Sequence, residues 1–279
     1  MTENRVPENS PLGRATAYRS DYAPELLFPI ARQQKRDELG IAPDALPFSG
    51  EDLWNAYEIS WLGPRGKPVV AIGEFRVPAA SPRLIESKSL KLYLNSFNQT
   101  RFADLATVER TLAADLSGAA GAPVQVLIHD LQCGPQRRYA LPEGFCLDAQ
   151  DIEVSRYAPQ AGLLSADHSR EVTDELLYSH LLKSNCLVTG QPDWGTVFIR
   201  YSGAAIGHEG LLRYVISFRE HNEFHEQCVE RIFTDILRDC APRELAVWAR
   251  YTRRGGLDIN PFRTNQTGWL PENLFEVRQ

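Results

Sequence analysis

No stretch of this 279-residue chain approaches the ~20 consecutive apolar residues of a membrane-spanning helix, and the longest apolar runs are strand-length pieces such as Pro123 to Ile128. Met1 to Ser20 is polar, is broken by Pro7 and Pro11, and lacks the apolar centre of a secretory leader. The expectation is a soluble, cytoplasmic protein. The five cysteines, Cys133, Cys146, Cys186, Cys228 and Cys240, are odd in number and include no CxxC pair, which argues against a disulfide framework or a zinc ribbon. Positive charge is in deficit, with 30 Lys and Arg against 36 Asp and Glu and a net charge of −6, which disfavours a nucleic-acid-binding surface. Neither GxGxxG nor GxxxxGK[ST] occurs, so a Rossmann site and a P-loop are not indicated. What is present is a globular balance, 43% hydrophobic and 24% charged, enough to bury a substantial core.

Met1 to about Gly50, rich in Pro, Arg and Gln, reads as an extended arm. Trp54 to Trp61 and Pro68 to Val77 are aromatic and β-branched segments separated by Gly63-Pro64-Arg65-Gly66, which predicts a β-hairpin. Leu90 to Phe97 is ambiguous. Phe102, Leu105, Val108, Leu112 and Leu116 recur at helical spacing up to Gly118, so two helices follow the hairpin. Pro123 to Leu131 reads as a strand, and Phe145 to Val154 as its partner.

The second half repeats this order, with strands over Glu175 to Lys183 and Thr196 to Tyr201, helices over Gly210 to Phe218 and Phe224 to Leu237, and a strand over Glu244 to Thr252. Tyr93, Ser96 and Phe97 recur 121 positions on as Tyr214, Ser217 and Phe218. Two β-β-α-α-β-β modules in tandem are expected, over 51–155 and 156–279, behind an arm at 1–50.

Three places have the composition for chemistry. Ser184-Asn185-Cys186 through Gln191-Pro192-Asp193-Trp194-Gly195 sets one thiol where a strand gives way to a loop, with a carboxyl group seven residues on. A thiolate is a strong nucleophile, although an unperturbed thiol, with a pKa of about 8.5, is mostly protonated at neutral pH. The alternative is a buried filler and a turn aspartate. In His221-Asn222-Glu223-Phe224-His225-Glu226-Gln227-Cys228 the two histidines have the i, i+4 spacing of a metal grip, but the glutamate of the zinc protease motif is missing. An aromatic, a histidine and a carboxylate in a row equally suit a flat, nitrogen-rich heterocycle, by stacking and by accepting parallel N–H bonds, or an ordinary helix start with solvated charges. In Ile85-Glu86-Ser87-Lys88-Ser89-Leu90-Lys91, serine hydroxyls and backbone N–H groups at a helix start suit phosphate, and serine capping is the bland alternative. Arg253-Arg254-Gly255-Gly256 is a comparable basic turn.

Glu86-Ser87-Lys88-Ser89-Leu90-Lys91-Leu92-Tyr93, Ser184-Asn185-Cys186 with Gln191-Pro192-Asp193-Trp194-Gly195, and Phe224-His225-Glu226, in that order, closely resemble the long, two-module form of the NADPH-dependent 7-cyano-7-deazaguanine reductases, the QueF family. The resemblance covers nearly the whole chain. It implies an α+β fold of two tandem tunnelling-fold (T-fold) modules, each with an antiparallel sheet and two helices. It also implies reduction of a nitrile to a primary amine at the expense of two NADPH, on the route to queuosine in tRNA. By that resemblance Cys186 attacks the nitrile carbon to form a thioimide and Asp193 protonates the nitrogen. Glu86 and Glu226 bond the deazaguanine N–H groups, Ile85, Ser87 and His225 complete the substrate pocket, and Phe224 is the stacking candidate. Ser87, Lys88, Arg254 and Gly255 match the family's NADPH-contacting positions. Glu86 and Cys186 fall in different modules, so a composite site is implied. The partners implied are a small deazapurine and a second copy of the chain, with no direct nucleic acid, no membrane and no metal. Two other readings compete: a cyclohydrolase-type hydrolase with zinc on His221, His225 and Cys228, and a silent purine-binding module to which Cys186 is irrelevant.

Overall fold

The computed structural model describes residues 18–132, 139 and 142–279; Cys133 and most of the Met1–Ser20 stretch lie outside them. Among the described residues the architecture is mixed α+β, and contacts divide it into two compact units. The first lies within Met1–Lys35, Glu51–Gln136 and Arg253–Ile259, the second within Arg36–Gly50, Arg137–Thr252 and Asn260–Gln279.

In the first unit a short strand β1 (Pro29–Ala31) precedes the start of a short helix α1 (Gln33–Glu38), whose second half belongs to the other unit, and the long strands β2 (Ser49–Leu62), in this unit from Glu51, and β3 (Pro68–Pro78) form the expected hairpin. Along β3, Ala71, Phe75 and Val77 fall on the buried side of a period-two pattern, which sets one face of the strand against the core. β4 (Arg83–Ile85) pairs antiparallel with β1 and leads into α2 (Ser87–Asn95) and α3 (Leu105–Ala120). The stretch that was ambiguous in sequence, Leu90 to Phe97, therefore falls mostly in a helix. On α3, Val108, Leu112, Leu116 and Ala120 make one buried stripe. Asp104 caps its start, its Oδ1 accepting the Thr107 N–H at 2.7 Å. The helix ends at Gly121, in the left-handed region at φ 75°, rather than at Gly118, which lies inside it. β5 (Gln125–Asp130) returns antiparallel to β3, with Val126 opposite Phe75. The core joins Trp54, Trp61 and Phe75 from the sheet to Leu90, Tyr93, Phe97 and the α3 stripe.

The second unit holds β6 (Phe145–Cys146), β7 (Ala166–Asn185), β8 (Pro192–Ile206), α4 (His208–Ser217), α5 (His225–Cys240), β9 (Glu244–Tyr251) and the end of β10 (Leu257–Thr264). β7, β8 and β9 are antiparallel neighbours, and Phe262 to Thr264 of β10 pair with β9. The expected strand over Phe145 to Val154 shrinks to two residues, which pair parallel with β7 and not with β5. Beyond it a single 3-10 turn buries Leu147, and Asp148 accepts bonds from the Ser179 hydroxyl at 2.6 Å and the His180 N–H at 2.9 Å.

The repeated wording has a repeated structure. In the first unit Ser96 Oγ donates to Tyr93 O at 2.6 Å, Tyr93 packs edge-on against Phe97 at 5.2 Å, and its hydroxyl donates to Asp115 at 2.5 Å. In the second, Ser217 donates to Tyr214 O at 2.6 Å, Tyr214 meets Phe218 edge-on at 5.3 Å, and its hydroxyl donates to Asp235 at 2.7 Å. The helices carrying Asp115 and Asp235 are each 16 residues long.

Candidate active site

Cys186 follows the last residue of β7. Its N–H donates to Gln191 O at 2.8 Å and its carbonyl accepts the Gly190 N–H at 3.0 Å, closing a short loop into β8 with Gly190 at φ 66°. The thiol is half-buried. Across the hairpin Asp193 stands opposite Ser184, so thiol and carboxyl ride on the two facing arms, and Asp193 is 5% exposed. Trp194 beside it is exposed, with the Arg219 guanidinium 5.6 Å from its ring centre.

Asn185 ties this hairpin end to the segment that starts α5. Its N–H donates to His221 O at 2.8 Å, its carbonyl accepts the Glu223 N–H at 3.1 Å, and its side chain donates to Asn222 Oδ1 at 3.0 Å. Phe224 is the cap position of α5, its N–H 3.3 Å from Gln227 Oε1, and it is half-buried. His225 and Glu226 open the helix. His225 Nε2 lies 3.4 Å from Asp193 Oδ1, and its ring stacks on Tyr251 at 3.8 Å with 11° between planes. Glu226 is 3% exposed, so this is not a helix start with solvated charges.

The zinc reading finds no support. His221 Nε2 is 2.9 Å from Glu223 Oε2, and Glu223 also takes the Arg231 guanidinium. Burial pushes the Glu223 carboxyl up, but bonding from His221 and Arg231 outweighs it and leaves the group below the usual carboxylate range. Burial and the nearby Glu223 charge push the Cys228 thiol up to about 12. Among the described residues no three His, Cys, Asp or Glu side chains converge to hold a metal ion. Cys146, Cys186, Cys228 and Cys240 are free thiols, and Cys133 lies outside the described residues.

The first unit carries the remaining residues. Ile85 ends β4, and Glu86, fully buried, caps α2 by accepting the N–H groups of Lys88 at 2.6 Å and Ser89 at 2.9 Å. The cap is the carboxylate, not a serine. Two backbone donors at this helix start, expected from sequence to face phosphate, are consumed by it, and Ser89 is occupied too, accepting the Phe28 N–H at 2.9 Å and donating to Glu86 O at 2.6 Å. Burial raises the Glu86 carboxyl above its ordinary range, opposed by those N–H bonds, the Lys88 charge and the Ser87 hydroxyl. A carboxylate has about four lone-pair sites, so the bonds from Lys88, Ser89 and Ser87 leave about one for a ligand. The Glu86 N–H in turn donates to Phe28 O at 2.9 Å, and Pro29 pairs with Ile85, so the arm fixes the backbone of this carboxylate.

Ser87 and Lys88 are half-buried on the first turn of α2. Arg254 and Leu257 exchange backbone bonds at 2.8 and 3.3 Å around Gly255 and Gly256, whose φ values of 58° and 79° suit glycine. Gly255 lies against Lys91, one turn beyond Lys88: a Cβ built there would be 1.9 Å from Lys91 Nζ. The Gly255 turn and the Lys91 side chain are thus neighbours, and the space at position 255 admits only a glycine. The sequence predicts that Lys88 and Lys91 supply charge at this helix start, whereas nothing in it singles out Tyr251.

Half-buried Cys186, buried Asp193 and His225 at one hairpin end, with Lys91 against the Gly255 turn in the other unit, are the polar clusters of this α+β protein to set beside known families. The profile described as nitrile reductase, 7-cyano-7-deazaguanine-reductase N-term matches residues 18–128, and that described as QueF-like protein matches residues 192–268. The chain is 66% identical to the NADPH-dependent 7-cyano-7-deazaguanine reductase of Aromatoleum aromaticum, over 100% of this chain and 98% of that one. It is 65% identical to the enzyme of the same name from Azoarcus sp. (98% and 96% covered) and 61% identical to that of Ralstonia nicotianae (98% and 99%). The chain belongs to the 7-cyano-7-deazaguanine reductase family.

Proposed function

We propose that this protein reduces the nitrile of 7-cyano-7-deazaguanine to the primary amine 7-aminomethyl-7-deazaguanine, with NADPH as reductant, in queuosine biosynthesis. In this reading the Cys186 thiolate adds to the nitrile carbon, a C–S bond forms, one C–N π bond breaks, and the nitrogen takes a proton from Asp193. The resulting thioimide accepts reducing equivalents more readily than a nitrile does, because sulfur-bearing C=N is the better electrophile. When bound, NADPH supplies hydride, two equivalents for each nitrile taken to the amine. Midway, the C–S bond breaks and Cys186 leaves as a thiolate, and holding the carbon covalently until then limits loss of the imine to water. Glu86 and Glu226 accept the N–H groups of the deazaguanine, Ile85, Ser87 and His225 line its pocket, and Phe224 stacks on the ring. Ser87, Lys88, Arg254 and Gly255 hold the phosphates of NADPH, with Lys91 beside them. Carrying these roles are two T-fold modules, 51–155 and 156–279, behind an arm at 1–50.

The observation that carries the reading is half-buried Cys186 at the end of a hairpin whose facing arm holds buried Asp193, with His225 Nε2 3.4 Å from that carboxyl group, in a chain 66% identical along its whole length to a reductase of this name. The same reading has the protein acting in the cytoplasm as a homodimer on a free deazapurine without touching tRNA, which the net charge of −6 supports. Purified protein should consume two NADPH per nitrile and release the amine; consumption without amine, or none, would reject it.

A further inference from the structure

We propose that Tyr251 and Gly195 are positioning residues for this reaction: Gly195 leaves the space in which the Tyr251 ring lies, and that ring fixes the plane of His225 so that Nε2 meets the Asp193 carboxyl group. The inference rests on the reading of Cys186 and Asp193 given above. Gly195, the last residue of Gln-Pro-Asp-Trp-Gly, is the cross-strand partner of Tyr251 on β9. A Cβ built on it would lie 3.0 Å from Arg250 O and 3.1 Å from Tyr251 Cδ1, and its φ is outside the region that favours glycine. Its smallness therefore serves space rather than backbone conformation.

Tyr251 is fully buried, and burial, with the Cys228 thiol next and Asp193 also contributing, raises its hydroxyl well above the ordinary tyrosine value and keeps the ring neutral. A buried aromatic with two torsions is a rigid platform. His225 lies flat on it at 3.8 Å. The χ2 torsion of histidine is soft, and a hydrogen bond at the far ring nitrogen ordinarily fixes the ring. Here Nδ1 is buried with no hydrogen-bond partner among the described residues, so the stack takes over that task. Nε2 is then held 3.4 Å from Asp193 Oδ1, beside the proton that the nitrile nitrogen must receive.

The test compares wild type, Tyr251→Leu, Tyr251→Phe, Gly195→Ala and Cys186→Ala. The rate at which 7-cyano-7-deazaguanine adds to the protein without NADPH is read by intact mass, then kcat and both KM values, with circular dichroism as the check on folding. An adduct on wild type and none on Cys186→Ala establishes the reading beneath the inference. Tyr251→Leu should then slow adduct formation and lower kcat about tenfold or more, since displacement of order 1 Å can cost up to ~100-fold. Its KM for NADPH should hold. Tyr251→Phe, which keeps the ring, should recover most of the rate, and Gly195→Ala should fall with the leucine variant. A Tyr251→Leu protein as fast as wild type, or Tyr251→Phe as slow as Tyr251→Leu, would overturn the inference. If Tyr251→Leu fails to fold, Gly195→Ala at the wild-type rate overturns it instead. No adduct on wild type would remove the reading of Cys186 itself, a different failure from either.

Discussion

Gly255→Ala separates the proposed NADPH contacts from the proposed chemistry at Cys186. The added Cβ would fall 1.9 Å from Lys91 Nζ and 2.7 Å from Cε, distances at which something must move, and the movable partner is the end of the lysine chain. Alanine at φ 58° also costs about 1 kcal/mol, the usual penalty for an L-residue in the left-handed region. The turn can relax part of that, but Lys91 cannot stay where it is. Losing one charged contact to phosphate, about 1.5 kcal/mol, corresponds to roughly tenfold in affinity. The KM for NADPH should therefore rise about tenfold, while the rate of nitrile addition to Cys186, measured without NADPH, stays at the wild-type value. Lys91→Ala should reproduce most of the rise, and the double variant should add less than the sum of the two, because both remove the same contact. An unchanged KM for NADPH in a folded Gly255→Ala protein, or a fall in nitrile addition instead, would refute the assignment of this turn.

Other outcomes follow from the same geometry. Glu230 sits between Arg36, at 2.7 and 2.9 Å, and Arg263, at 2.8 Å, all nearly inaccessible to solvent. Glu230→Gln takes away the charge both guanidiniums touch, so a loss of about 3 to 5 kcal/mol, on the order of 10 °C in melting temperature, is expected in calorimetry. In the proposed reading the charged form of Glu86 accepts the deazaguanine N–H groups, and burial raises its pKa. The KM for the nitrile should therefore climb as pH falls, beginning above the ordinary carboxylate range, and in Glu86→Gln that pH dependence should flatten around a weaker affinity. Asn185→Ala removes the side-chain bond to Asn222 and the contact with Lys183 Nζ at 2.5 Å, so addition of nitrile to Cys186 should slow severalfold with a stability loss of about 1 to 3 kcal/mol by urea unfolding.

Much of the chain declared itself through periodicity. The hairpin of β2 and β3, the stripe of α3 and the loop that displays Cys186 opposite β8 were legible because each depends on neighbours close in sequence. β10 was not. Leu257-Asp258-Ile259-Asn260 alternates apolar and polar, but Pro261 interrupts the run, and all eight residues of the strand are buried, the polar ones included. Phe145 to Val154 misled for the opposite reason: its apolar residues mimic a strand, while Asp148 spends its carboxylate on β7. Glu86, an acid just before two serines, concealed a helix cap, and its capping role became visible only with the bonds to Lys88 and Ser89. Tyr251 lies far from His225 in sequence, and only the packing of α5 against β9 brings its ring beneath the histidine.

The central claim is that Cys186 carries the nitrile. Mixing the full-length protein with 7-cyano-7-deazaguanine in the absence of NADPH, followed by intact-mass and peptide analysis, tests it most directly. The expected result is a single adduct of the nitrile's mass on the peptide containing Cys186, absent from Cys186→Ala and discharged as the amine when NADPH is added. An adduct on another cysteine, or full turnover by Cys186→Ala, would contradict it.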